Sequence, residues 1–215
     1  MITAMCDVMK EAYKRGWITT RDGNVSLRIA NSKRIHMTPS GVRKNVVNPE
    51  MLVKFDIQED QSLKFFSNMN LQATGEWEMH YLILKEATST KSVVHLHPTN
   101  IIAAMHIGWD LYEMVKPFPE VYRYTKVGHN VPSLAPLSQE LASETKKMLG
   151  VDGQAQEFDI VGQTSHGVTA VGKNPWDAFE HIERVEHIAQ IVLASGVKPE
   201  LTTKKKEWWQ VRGMA

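Results

Sequence analysis

The stretch Val93-Val94-His95-Leu96-His97-Pro98 sets two histidines two residues apart at the end of an apolar run. In an extended strand, residues i and i+2 point to the same face. His95 and His97 therefore aim two imidazoles at one point, while Val94 and Leu96 face the other way. Two convergent imidazoles are the beginning of a transition-metal site. A metal needs more ligands, and His166 is the third candidate. It sits in a turn, Thr164-Ser165-His166, and is followed by Gly167, where a backbone can approach closely. Glu76 offers a carboxylate at the first turn of a helix. Unpaired N–H groups and the helix dipole favour an anion there.

The elements that must position these groups are written in the periodicity of the chain. Ile2, Met5, Val8, Met9, Ala12 and Tyr13 have helical spacing, and Gly16 follows as a stop. Val25 to Ile29 and Arg34 to Thr38 alternate as strands, the first opened by Gly23-Asn24 and the second closed by Pro39-Ser40-Gly41. Asn48-Pro49-Glu50 starts one helical turn at most before the apolar run Leu52 to Asp56. Residues 60–72 read as a polar hairpin or loop. Thr74-Gly75-Glu76 leads into a helix carrying Trp77, Met79, Tyr81, Leu82 and Leu84. Ser92 to His97 is a strand, and Thr99 to His106 a short helix with Pro98 at its mouth.

Residues 109–133 hold three prolines and the aromatic cluster Phe118, Tyr122 and Tyr124, and are expected to form a long loop or irregular strands. Ser138 can cap a helix that ends at Leu149-Gly150. Phe158 to Gly162 and Gly167 to Gly172 are the last two strands expected. Pro175 opens the longest helix, which runs through Ala194 and stops at Ser195-Gly196. The expectation is one α/β domain over residues 1–197 and a tail over 198–215.

Composition narrows the function classes. With 25 Lys and Arg against 24 Asp and Glu, the net charge of +1 gives no electrostatic case for nucleic acid or an anionic membrane. The basic run Lys204-Lys205-Lys206 reads as a solvated tail. Cys6 is the only cysteine, so no intrachain disulfide can form, which suits a reducing cytoplasm. No apolar run approaches the roughly 18–20 residues of a membrane span.

Five pieces then occur in one order. They are Gly23-Asn24-Val25-Ser26, Thr38-Pro39-Ser40-Gly41, Glu76-Trp77 with His80, His95-Leu96-His97, and His166-Gly167. With these the chain resembles the class II aldolase/adducin family over residues 1 to about 195, and within it the L-fuculose-1-phosphate aldolase branch. The resemblance implies a three-layer α/β/α domain around a central, largely antiparallel sheet. It also implies one zinc ion per subunit and a homotetramer with active sites at its interfaces. Carried over residue by residue, His95, His97 and His166 match the zinc histidines. Glu76 matches the catalytic glutamate, which in that family can also fill the fourth metal position. Alone, the H-x-H pair would more simply be structural; His166 and Glu76 in family order make the metal site the expected reading. Cobalt, manganese or iron could replace zinc at such ligands.

The implied chemistry is reversible cleavage of a ketose, expected as a ketose 1-phosphate, into dihydroxyacetone phosphate or a related donor and an aldehyde. The metal stabilises the enediolate formed as the C3–C4 bond breaks, and Glu76 shuttles the proton. The positions matching the phosphate contacts are Asn24, Ser40, Gly41, Thr74 and Gly75. The aldolase pattern has two serines before the glutamate, where this chain has Thr74-Gly75. One hydroxyl is lost, which leaves room for a non-phosphorylated donor. Tyr122 and Tyr124 lie in the region of the tyrosine that handles the leaving aldehyde, and the tail offers Trp208-Trp209 in place of a second one. The alternatives on the same platform are a pentulose-phosphate 4-epimerase, a methylthioribulose-phosphate dehydratase and a pyruvate-type aldolase. A non-catalytic interaction module, as in adducin heads, is the reading from another class. His80 is expected only to pack or to hydrogen-bond along its helix.

Overall fold

The computed structural model of the protein describes residues 1–30, 32–57 and 63–199. The tail expected from residue 198, with Lys204-Lys205-Lys206 and Trp208-Trp209, lies outside the described residues except at its start. Part of the segment expected as a hairpin, 60–62, lies outside them too.

Alternation in the sequence becomes a seven-stranded sheet. The strands are β1 (Asn24–Arg28), β2 (Arg34–Met37), β3 (Val53–Ile57), β4 (Leu63–Phe66), β5 (Ser92–Leu96), β6 (Ile160–Gln163) and β7 (Gly167–Gly172). Their order is β4-β3-β2-β1-β5-β7-β6, and every strand pairing is antiparallel. β4 falls in the segment expected as a hairpin or loop, and it pairs with β3, outside that segment. The register aligns Asn24 with His95, and His95 with Thr169. These three residues form one row across β1, β5 and β7.

Because side chains alternate across the pleat, the sheet buries two separate cores. Val25, Leu27, Val94, Leu96, Val168 and Ala170 face one side. Helices α1 (Ile2–Lys14), α3 (Thr99–His106) and α7 (Pro175–Ser195) cover it. On α7 the buried positions Ala178, Phe179, Ile182, Val185, Ala189 and Val192 recur every three or four residues, which gives the helix one continuous apolar stripe. Val93 and Val171 face the other side, beneath α2 (Trp77–Glu86) and α6 (Gln139–Met148). The three-layer α/β/α architecture is therefore present.

Caps fix where the helices begin. The Ser138 side chain accepts from the N–H of Leu141, and Asn174 accepts from Trp176 and Asp177. Gly196 ends α7 in the left-handed conformation. The buried carboxylate of Glu186 on α7 accepts from the backbone N–H of Asn100 and Ile101, at 3.1 and 2.9 Å, and so anchors α3 directly after His97-Pro98.

One expectation needs correction. Residues 109–133 are irregular strand only at Val127 and Val131, which bridge to Ile160 and Gln163 of β6, and are not a long loop before that. They contain two short helices, α4 (Leu111–Val115) and α5 (Pro119–Tyr124). Asp110 caps α4 by accepting from Tyr112 and Glu113, and Pro119 supplies the fixed φ that starts α5. None of the described helices is long and apolar enough to cross a membrane.

Candidate metal centre

The site forms at the end of the row Asn24–His95–Thr169, on the α2 side of the sheet. β5 ends at Leu96, so His95 and His97 stand at its last turn toward the α2 side. The hairpin between β6 and β7 brings His166 to them. Ser165 takes a positive φ of 57°, which turns the chain within three residues. Gly167 is needed there, because a β-carbon on it would stand 2.5 Å from the carbonyl oxygen of Leu96 and 2.7 Å from Cδ2 of His97.

His95, His97 and His166 offer three nitrogens, all within 4.8 Å of one another, a group that could hold a metal ion. The Nε2 atoms of His95 and His97 are 2.9 Å apart. Thr169 Oγ1 lies 3.3 Å from Nδ1 of His95, which occupies that nitrogen and leaves Nε2 for the shared point. Burial lowers the pKa of all three histidines. For His95 the shift is well below the ordinary range, with like-charge repulsion from His97 and His166 adding to it. Neutral imidazoles are the form a metal binds.

Glu76 is the residue immediately before α2 and is 8% exposed. Its Oε2 is 3.3 Å from Nε2 of His95, and its Oε1 is 3.8 Å from Nε2 of His166. Asn24 donates from Nδ2 to Oε2 at 2.8 Å. Oε1 is buried and has no hydrogen-bond partner among the described residues. Burial raises the carboxyl pKa, against the opposing pull of His166 and the Asn24 bond. A buried carboxylate facing two nitrogens of a three-histidine group, with one oxygen unsatisfied, fits a divalent cation chemically. The ion would neutralise the charge and supply the missing partner.

The expected phosphate contacts divide. The N–H of Thr74 donates to the Thr38 carbonyl, and that of Ser40 donates to Gln72, so the turns Thr38–Gly41 and Thr74–Gly75 lie side by side. Ser40 and Gly41 are exposed, and Gly41 is left-handed at φ 72°. Asn24 is instead committed to Glu76. Tyr122 and Tyr124 lie on α5, half exposed, with Tyr124 5.4 Å beneath the guanidinium of Arg184 on α7.

Sequence reasoning missed the roles of four residues around this site. His80, on the buried face of α2, is fully enclosed and bonds Asn24 and Ser26 rather than merely packing. The period of two in Asn24-Val25-Ser26 was the signal for Ser26, since it puts Ser26 on the same face as Asn24. Lys44 is buried and donates from Nζ to the Pro39 carbonyl at 2.8 Å, which braces the Thr38–Gly41 turn. Burial pushes its pKa down to about 8. Leu137 takes a positive φ of 62° and sets its side chain against Gly75.

Comparison with known proteins agrees with this architecture. The family described as Class II Aldolase and Adducin N-terminal domain matches residues 3–193. An L-fuculose phosphate aldolase of Methanocaldococcus jannaschii is 22% identical over 86% of this chain and 92% of its own. A 3-oxo-tetronate 4-phosphate decarboxylase of Pectobacterium atrosepticum is 26% identical over 86% of this chain and 79% of its own. The crystal structure of a sugar-phosphate aldolase from Thermotoga maritima superposes with a TM-score of 0.75 at 23% identity, covering 92% of this chain and 97% of that one. At that identity the structural likeness speaks for the fold.

Proposed function

The chain belongs to the class II aldolase and adducin family, and within it we propose a divalent-metal-dependent aldehyde-lyase acting on a ketose. The reaction is the reversible cleavage of a ketose, foremost a ketose 1-phosphate such as L-fuculose 1-phosphate, into dihydroxyacetone phosphate and an aldehyde. The observation that carries this reading is the Glu76 carboxylate, held by Asn24 and facing His95 and His166 with Oε1 unsatisfied.

His95, His97 and His166 would hold the ion, foremost Zn²⁺, with Glu76 as a fourth ligand when no substrate is bound. When bound, the ion would supply a Lewis acid for the donor's carbonyl and hydroxyl oxygens. Glu76 then handles the proton. In cleavage the C4 hydroxyl gives its proton to the Glu76 carboxylate, the C4 carbonyl forms as the C3–C4 bond breaks, and the electron pair of that bond passes to the donor half. Glu76 returns a proton to C3 from Oε1. The N–H groups of Gly41 and Gly75 would receive the donor's phosphate, those of Ser40 and Thr74 being given to Gln72 and Thr38. A homotetramer with sites at its interfaces and a cytoplasmic setting belong to the same reading.

One observation favours a second reading. A β-carbon at Gly75 would meet Leu137 Cδ2 at 3.0 Å, so an apolar side chain occupies the space beside the turn where the aldolase pattern has a serine. That favours a donor without the phosphate, or another of the family's reactions, such as the decarboxylation named for the Pectobacterium relative.

The deciding experiment is incubation of zinc-loaded protein with L-fuculose 1-phosphate and with L-fuculose. Release of aldehyde from the phosphate ester supports the first reading, and release from the free sugar alone supports the second. Purified protein that retains only a trace of divalent metal and releases no aldehyde would point instead to an interaction module.

A further inference from the structure

We propose that His80 is a positioning residue that acts through Asn24 to fix one oxygen of Glu76 and leave the other as the proton-exchanging atom. The inference rests on the acid/base role given to Glu76 above. Four side chains form a single relay. Ser26 Oγ is 2.7 Å from Nδ1 of His80, Nε2 of His80 is 2.5 Å from Oδ1 of Asn24, and Nδ2 of Asn24 is 2.8 Å from Oε2 of Glu76. Ser26 and His80 are fully buried, and Asn24 is 4% exposed, so bulk water is a poor substitute for these partners.

The direction of every bond follows from the carboxylate. An ionised carboxylate only accepts, so Asn24 must turn its amide nitrogen toward Glu76 and its carbonyl toward His80. A carbonyl oxygen also only accepts, so Nε2 of His80 carries the hydrogen. The neutral imidazole then accepts at Nδ1 from the Ser26 hydroxyl. A flipped Asn24 amide would set oxygen against oxygen at Glu76 and leave a buried donor and acceptor mismatched.

The relay is also a clamp between two elements. Glu76, at the N-cap of α2, and His80 are four residues apart, roughly 6 Å of axial rise. Asn24 and Ser26 are two apart on β1, roughly 6.7 Å. The near match lets the side chains interleave as Ser26, His80, Asn24 and Glu76. A residue that only filled space at position 80 would need neither nitrogen. Here each nitrogen is used, and the outcome is asymmetric. Oε2 is held, whereas Oε1 faces His166 with no hydrogen-bond donor among the described residues. Oε1 is thereby the oxygen free to turn to the substrate, since Oε2 is tied to Asn24.

The test has two arms. In the first, ¹⁵N-histidine-labelled protein loaded with zinc is examined by long-range ¹H–¹⁵N NMR, with His80 assigned from the His80→Gln variant. The expected result is the Nε2–H tautomer, and an Nδ1–H tautomer overturns the relay. In the second, His80→Leu is compared with His80→Gln, whose amide can still donate to Asn24 and accept from Ser26. His80→Leu should lower kcat about 10–100-fold with KM within about threefold and metal content unchanged, and His80→Gln should recover most of the loss. Equal losses in both variants, or a loss that tracks metal or helix content, would reduce His80 to a structural residue. The first arm uses no substrate. An inactive wild type with the Nε2–H tautomer removes the proposed reaction and keeps the relay; an active wild type with the other tautomer does the reverse.

Discussion

Gly167 and His97 stand so close that a β-carbon on the glycine would lie 2.7 Å from Cδ2 of the imidazole. The same atom would be 3.1 Å from Cε1 of His95 and 2.5 Å from the Leu96 carbonyl oxygen. Two rings and a strand carbonyl close on one position, so Gly167→Ala must push either the imidazoles or β5 away. The expected result is a loss of at least about tenfold in zinc affinity, by competition against a chromogenic chelator. Apo stability should fall by about 1–3 kcal/mol, the usual cost of overpacking. His166→Ala is the contrast, since it should remove zinc binding and leave apo stability within about 1 kcal/mol. Unchanged zinc affinity in Gly167→Ala would mean that the three rings are not held together by this contact.

Glu76→Gln keeps the shape of the side chain and removes its charge and its capacity as a base. Asn24 can still donate to the remaining carbonyl oxygen, so the relay loses little geometry. Cleavage of the ketose 1-phosphate should fall by at least about 10²-fold, the scale of a general acid–base contribution. Zinc stoichiometry, measured by elemental analysis, should stay near that of the wild type because the histidines remain. Turnover undiminished in this variant would take the acid/base role away from Glu76.

The groups that make the site were legible where local pattern decides their direction. A period of two places His95 and His97 on one face, and the structure keeps that face with Asn24 and Thr169 in register. Start and stop signals at Ser138, Pro175 and Gly196 fixed helix ends for the same local reason. What was not legible depends on partners far along the chain. His80 at helical spacing from Glu76 reads as a packing residue until Asn24 and Ser26, more than 50 positions earlier, are brought against it. α4 and α5 escape because each is too short for a helical period to show, and the prolines around them argue for a loop. Lys44 looks like a surface charge, and only the folded turn supplies the Pro39 carbonyl that receives it.

Gly75 and Leu137 give a test of donor choice. The contact at 3.0 Å is with the flexible end of a leucine, so Gly75→Ser alone can be absorbed by a small shift of that side chain, with the new hydroxyl crowded. Leu137 is 64% exposed and holds a left-handed φ of 62°, a conformation that costs a non-glycine residue roughly 1–2 kcal/mol. Leu137→Gly removes both the strain and the contact. The double variant Gly75→Ser with Leu137→Gly should lower KM for the phosphorylated ketose several-fold relative to the free sugar, and Gly75→Ser alone should do so less. A ratio of the two KM values that stays the same in all three proteins would show that this turn does not meet the phosphate.

Acid stability should report a buried histidine away from the metal centre. His36 on β2 is 7% exposed, and its Nδ1 has no partner among the described residues. Burial pushes its pKa down to about 4, with Lys54 and Arg34 adding to the shift. The unfolded chain has an ordinary imidazole near pH 6.5, so between about pH 6.5 and 4 it binds the proton that the folded chain refuses. The contribution is therefore fully present above pH 6.5 and is lost as the pH falls toward 4. Replacing His36 by Leu removes the titration without leaving a polar atom behind. Urea unfolding of the apo protein at pH 7.5 and pH 4.5 should show a smaller drop in the variant than in the wild type, by on the order of 2 kcal/mol. His80, pushed down to about 3 by complete burial, keeps some acid sensitivity in both proteins. Identical drops would mean that His36 is protonated without cost in the folded chain, and that the acid limb belongs to the other buried histidines.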